Sequence, residues 1–309
     1  VNLSQAPEVL FASENIGVDF RFNEETRPVD AYDADQRLTA FYGMADMALT
    51  GRARLVAGVR VERFDLEVNT FDPFGLFLGQ IQAKLDDTDW FPGINFVYSL
   101  RPDMNLRFGF SQTVNRPEFR ELAAFEFTDV VGNRSVRGNP ELTRALIRNY
   151  DARWELFAGE RGVLAASVFY KDFENPIERV IIAGAQPSTT FQNSESARNF
   201  GIEIEAGRNL GDHFFVSANY TYVDSEITLS EEARRVQTSL VRPLAGQSEN
   251  LFNVTGEFLL GGFQARALYN FMDDRISDVG ANGAPDIVES GRGSFDVVFI
   301  QRLGGLGLR

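Results

Sequence analysis

Residues 149–157, NYDARWELF, alternate strictly between two sets of side chains. Asn149, Asp151, Arg153 and Glu155 fall on one face, and Tyr150, Ala152, Trp154 and Leu156 on the other. A period of two predicts a β-strand whose faces meet different surroundings. The same pattern recurs along the chain. Met104, Leu106, Phe108 and Phe110 oppose Asn105, Arg107, Gly109 and Ser111, and Ile94, Phe96, Tyr98 and Leu100 oppose Asn95, Val97 and Ser99. Phe200, Ile202, Ile204 and Ala206 oppose Gly201, Glu203, Glu205 and Gly207, and Val216, Ala218, Tyr220 and Tyr222 follow suit. Phe252, Val254 and Phe258, then Phe263, Ala265, Ala267, Tyr269 and Phe271, complete the series. In residues 52–68 the apolar set shifts from odd positions (Ala53 to Val61) to even ones (Phe64, Leu66, Val68), which predicts a β-bulge near Arg63.

The connections alternate as well. Tight turns are expected at LTGR (49–52), RPDM (101–104), AGERG (158–162), LGD (210–212) and LGG (260–262). Long loops are expected at about 70–88, 115–146, 176–190, 229–246 and 274–289. This is an up-and-down meander with one trimmed end and one elaborated end.

A soluble sandwich also alternates. Three features favour a wall in lipid. The strands run about ten to fifteen residues, long enough to cross a bilayer at a tilt. Aromatics end the apolar face: Tyr42, Phe110, Tyr170, Tyr222 and Phe271 toward the long loops, Tyr98 and Trp154 toward the short turns. Charge persists in mid-strand on the other face, as a wet lumen allows. The expected fold is therefore all-β, an antiparallel up-and-down transmembrane β-barrel. Tyr150, Trp154, Ile202, Ile204, Val254 and Tyr269 would face lipid, and Asp151, Arg153, Glu155, Glu203 and Glu205 the lumen.

Composition narrows the function. Thirty Lys and Arg against 44 Asp and Glu give a net charge of −14, which excludes a nucleic-acid footprint. There are no cysteines, so disulfide frameworks and thiolate metal sites are excluded. The first residues, VNLSQAPEVL, carry no visible targeting signal, and the chain reads as an internal fragment.

Several stretches resemble the TonB-dependent outer-membrane receptors, in the C-terminal part of their barrel. They are GFSQTVNRPEFREL (109–122), RGNPELTRALIRNYDARWELF (137–157), VFYKDFENPIE (168–178), ARNFGIEIEA (197–206), NYTYVDSEI (219–227), RPLAGQSENLFNVTGEF (242–258) and YNFMDDRISDVG (269–280). The resemblance implies a barrel of about 22 strands, of which about eleven are legible here. It further implies that residues 1–309 are a fragment of the barrel domain, lacking the plug, the first strands and the last ones. By the same resemblance the protein lies in the bacterial outer membrane, in contact with its lipid. It captures a bulky, scarce nutrient, a ferric siderophore or an oligosaccharide, in its loops, and works with the TonB complex through the missing N-terminal region. A passive porin and a soluble β-rich carbohydrate-binding protein are the alternatives.

In the longest loop Arg116, Phe119, Arg120, Phe125, Phe127, Arg137 and Asn139 are candidates for ligand contact, arginines gripping anionic groups and aromatics stacking on rings. The competing and favoured reading folds RPEFREL into the barrel mouth as a structural element, with Arg116 and Arg120 paired to Glu118 and Glu121. Asp86, Asp87 and Asp89, and Asp273 and Asp274, lack the spacing of a calcium loop and read as solvated loop charge. The lone histidine, His213, sits at a short turn, far from any nucleophile-and-base arrangement. GGLGLR (304–309) has no helix pattern after it and is not a nucleotide loop. No catalysis, cofactor or metal is expected.

Overall fold

A computed structural model describes residues 31–71, 80–128, 135–159, 161–182, 188–229 and 231–302. The chain runs through β1 (Tyr32–Ala48), β2 (Ala53–Phe71), β3 (Gln80–Arg101) and β4 (Met104–Asn115), then a short helix α1 (Phe119–Leu122) and two small strands, β5 (Glu126–Thr128) and β6 (Ser135–Arg137). It continues through β7 (Ala145–Ala158), β8 (Gly162–Glu174), β9 (Ile177–Ile182), β10 (Ser188–Asn193), β11 (Ser196–Leu210) and β12 (Phe214–Thr228). Helix α2 (Glu231–Val236), β13 (Asn250–Leu260), β14 (Phe263–Met272), β15 (Arg275–Asp278), β16 (Ile287–Glu289) and β17 (Arg292–Gln301) follow.

Eleven of these strands form one antiparallel sheet in the order β1-β2-β3-β4-β7-β8-β11-β12-β13-β14-β17, with β1 and β17 at its edges. It is a partial up-and-down barrel wall. The five predicted tight turns all lie at one end. Gly211 and Gly261 there adopt φ of 70° and 57°, a left-handed region that costs a residue without Cβ little. The remaining strands form a four-stranded sheet, β5-β6-β10-β9, and the hairpin β15-β16, both built from the long connections at the other end.

The register sorts the side chains. Opposite residues of neighbouring strands point the same way, and the row Phe110–Tyr150–Tyr170–Phe200 runs across four strands on the outer face. Rings touch along it, Phe110 to Tyr150 at 5.1 Å and Tyr150 to Tyr170 at 6.3 Å. A second aromatic row near the tight turns links Phe214, Phe258, Phe263 and Phe299. Large apolar groups between the rows, among them Ile202, Ile204 and Val297, stay exposed.

Three expectations fail here. Tyr42 pairs with Arg60 in mid-strand and so lies on the inner face; its neighbour Phe41, paired with Val61, takes the outer one. No bulge occurs at Arg63, since β2 keeps an unbroken register with both β1 and β3, through Thr39↔Arg63 and Arg63↔Thr88. The apolar set changes parity because the inner face itself turns apolar. Phe64, Leu66 and Val68 point inward and are buried with Ala83, Leu85, Leu122, Ala123, Phe125 and Leu142. The strands β2 and β3 also reach further than expected, so residues 80–88 of the loop predicted at about 70–88 are strand, and residues 72–79 lie outside the described residues.

Candidate functional site

The described parts of the connection between β4 and β7 fold back into the mouth. Its RPEFREL segment starts α1, where the Glu118 N–H donates to the Glu121 carboxylate at 2.9 Å and closes the first turn. Leu122 and Phe125 then enter the core under β2 and β3, and Tyr32 stacks on Phe125 at 5.6 Å. Burial holds the Glu121 carboxyl above its ordinary range, the Glu118 N–H opposing the rise and the Glu118 charge adding to it. The GNPEL segment closes the unit. A Cβ on Gly138 would collide with the Ala123 and Arg120 carbonyl oxygens, so only glycine allows this approach. Asn139 donates its N–H to the Glu121 carbonyl at 2.6 Å and its Nδ2 to the Phe191 carbonyl at 3.0 Å.

The predicted arginine pairings are replaced by others. Arg116 reaches past Glu118 to Glu62 (2.9 Å) and Asp89 (3.4 Å) while its guanidinium lies 4.4 Å over the Phe64 ring. Arg144 binds Asp89 at 2.7 Å and Asp87 at 3.2 Å, and Arg60 binds Glu62 at 2.6 Å. Three guanidiniums thus face three carboxylates, and the network is neutral. Asp86, Asp87 and Asp89 are therefore strand residues engaged by arginine (Asp86 by Arg63 at 2.5 Å), where solvated loop charge was expected. Arg120 stacks 4.8 Å over Phe127. Between the inner side of β1 and α1 opens a cleft of about 550 Å³, lined by Tyr32, Gln36, Leu38, Phe64, Arg116 and residues 117–120.

The seven loop candidates therefore separate by environment. Phe119 and Arg120 are exposed at the cleft; Arg116 lies behind them, held by carboxylates; Phe127 and Arg137 are half-buried on β5 and β6; Phe125 and Asn139 sit within the packed unit. What composition hid is the lacing of four loops. β6 pairs with β10 of the next long connection, Val180 bridges to Val279, and Gln237 bridges to Ala281. Arg242 and Glu178, from different loops, form a two-pronged ion pair at 2.9 Å on both oxygens, each side chain 2% exposed. Nothing in the spacing of RPLAGQ or NPIE pairs these two residues. The parity shift at residue 64 was the one legible signal that something packs inside.

Below the mouth, the inner face carries charge in ladders. Glu155 is buried between Arg107 (2.5 Å) and Arg153 (3.2 Å), and Arg153 also binds Glu205 at 2.8 Å. Asp151 and Glu203 are exposed on the same face. Glu257 is gripped by Arg161 (2.8 Å) and Arg266 (2.7 Å). Tyr150, Trp154, Ile202, Ile204, Val254 and Tyr269 all lie on the opposite face. His213 lies in a tight turn with its ring edge-on to Phe258. No group of three or more potential metal ligands occurs among the described residues, and no helix there is long and apolar enough to cross a membrane.

Three solved structures share this architecture. The copper transporter OprC is 16% identical over 88% of this chain and 41% of its own, with a TM-score of 0.67. The ferric-catecholate import receptor Fiu of E. coli K12 is 16% identical over 91% and 40%, at 0.63. The siderophore receptor PiuA of Acinetobacter baumannii is 16% identical over 89% and 38%, at 0.61. At this identity the likeness shows the fold, and the chain spans about two fifths of each structure's length. No curated protein matches the chain. The sequence profile described as TonB dependent receptor-like, beta-barrel matches residues 7–298, nearly the whole chain. The chain therefore belongs to the TonB-dependent receptor-like β-barrel family.

Proposed function

We propose that this chain forms part of the wall and mouth of a bacterial outer-membrane receptor that imports a bulky, scarce nutrient under TonB control. The observation that carries the reading is the two-faced sheet of a TonB-dependent receptor-like chain: exposed apolar rows between aromatic girdles outside, and guanidinium–carboxylate ladders inside. Exposed aliphatic rows suit hydrocarbon and charged ladders suit water. In this reading residues 1–309 all belong to the barrel domain, and the edges of β1 and β17 are covered by further strands, because an open edge is not viable in lipid. A plug outside this chain gates the lumen and receives the TonB signal. The work is binding and gating, with no bond made or broken.

A passive porin shares such a wall, but the hydrophobic unit of α1, Phe125 and Leu142 fills part of the mouth, which suits a receptor. The test uses the full-length receptor in cells. It should fractionate with the outer membrane and support nutrient-dependent growth that is lost when TonB is deleted. Recovery in the aqueous fraction without detergent, or uptake that persists without TonB, would refute the proposal.

A further inference from the structure

We propose that Asn282 is a site of spontaneous deamidation, held in check by the Thr238 hydroxyl, and that its conversion loosens the seam between two of the mouth's connections. Asn282 is the one asparagine of the chain followed by glycine, so no side chain on the next residue shields its carboxamide carbon from the backbone nitrogen that follows. The two residues form the centre of a tight turn, with φ of 51° and 86° and the Ala284 N–H closing it onto the Ala281 carbonyl at 3.1 Å. Asn-Gly is the preferred pair for that conformation. Both residues are exposed. The Asn282 carboxamide has no hydrogen-bond partner among the described residues, and a Cβ on Gly283 would meet nothing, so the space beside the reacting nitrogen is open.

In the reaction the Gly283 nitrogen attacks the side-chain carbonyl carbon of Asn282. A C–N bond closes a cyclic imide, the bond to the amide nitrogen breaks, and that nitrogen leaves as ammonia with the Gly283 proton. Water then opens either imide carbonyl, giving aspartate or its β-linked isomer. The first step needs the Gly283 N–H released and turned toward the side chain. Thr238 opposes both. Its Oγ1 accepts from the Gly283 N–H at 3.1 Å and donates to the Ala284 carbonyl at 2.8 Å, so one hydroxyl holds two points of the turn. The products fall on a close-fitted seam. The Asn282 N–H donates to the Val236 carbonyl at 2.6 Å, the Thr238 N–H donates to the Gly280 carbonyl at 3.1 Å, and Gln237 bridges to Ala281, both of them buried. A Cβ on Gly280 would already collide with the carbonyl groups of Ala284 and Pro285, so the extra backbone carbon of the isomer has no room.

The test is peptide mapping by mass spectrometry of the full-length receptor, aged in detergent at mildly alkaline pH beside a urea-unfolded sample. Asn282 should convert more slowly in the folded receptor than in the unfolded chain. Thr238→Val should speed its conversion about five-fold, the factor that losing one ordinary hydrogen bond gives. Thr238→Ser, which keeps the hydroxyl, should age like the parent. In the converted fraction, separated by its added negative charge, the Thr238 amide should lose protection from hydrogen exchange while amides of β7 keep theirs. Equal rates in folded and unfolded samples, no acceleration by Thr238→Val, or Thr238→Ser as fast as Thr238→Val would each overturn the inference. So would a converted fraction whose Thr238 amide is as protected as the parent's.

Discussion

Replacing Arg242 by Met should unlace the mouth. The Arg242 guanidinium and the Glu178 carboxylate are both nearly inaccessible and meet at 2.9 Å on two prongs, so the carboxylate has no route to water. After the substitution Glu178 keeps only the Ser194 hydroxyl at 3.0 Å and the Ala245 N–H at 3.3 Å. Leaving one member of such a pair buried costs about 3–5 kcal/mol. At about 1.36 kcal/mol per decade, even the lower figure raises local opening by more than about 100-fold. Hydrogen exchange of the full-length receptor in detergent reads this directly. The amides to watch are Ile181, which donates to Val279, and Ile227, which donates to Arg242. They should lose protection while amides deep in the wall, such as those of β7, keep theirs. The double variant Arg242→Met with Glu178→Leu should recover most of the protection, because replacing a buried pair by apolar groups is often near neutral. Acceleration below about ten-fold, or a double variant as damaged as the single one, would refute the assignment of this pair as the tie between loops.

Other consequences are as direct. Leu122→Ala should cost about 2–5 kcal/mol of docking of the α1 unit, read as protease cleavage in residues 116–144 at concentrations that spare the parent. Gly201→Val should prevent correct assembly, because the Phe169 ring lies against Gly201 on the inner face and occupies the space of any Cβ; loss of heat-modifiable migration reports it, and a normally folded variant would contradict the packing. Ile204→Arg, mid-wall on the outer face, should destabilise the barrel by about 2–4 kcal/mol in urea unfolding from vesicles, whereas Glu203→Gln one residue away should change little. For Glu121, whose carboxyl burial raises, the folded state holds its proton more tightly than the unfolded chain. Docking of α1 should therefore strengthen as pH falls through the raised value and reach its full gain below the ordinary carboxylate range; Glu121→Gln should flatten that profile in hydrogen exchange.

The wall was legible because two faces in different surroundings force a period of two on every strand, and Tyr150 through Leu156 or Phe200 through Ala206 carry that period plainly. The turns were legible through Gly, Asp and Pro, and the five tight ones fall where those residues cluster. The site was not. Leu122, Phe125 and Leu142 look like ordinary apolar residues in a mixed loop, and only the sheet's inner side at Phe64, Leu66 and Val68 reveals what they bury. Arg116 faces Glu118 in sequence, yet Glu62 and Asp89 are the carboxylates within reach once α1 is docked, and both lie far along the chain. Pairs such as Arg242 and Glu178 depend on where separate loops cross, a relation that local spacing does not encode.

Because the β6–β10 pairing and the Val180–Val279 and Gln237–Ala281 bridges stitch four connections into one fabric, those connections are not interchangeable modules. Grafting a foreign loop between β8 and β11 would unravel seams in its neighbours, so this end of the sheet accepts single side-chain changes more readily than exchanged segments. Directed evolution of this mouth should accordingly yield viable point substitutions far more readily than viable insertions among the stitched segments.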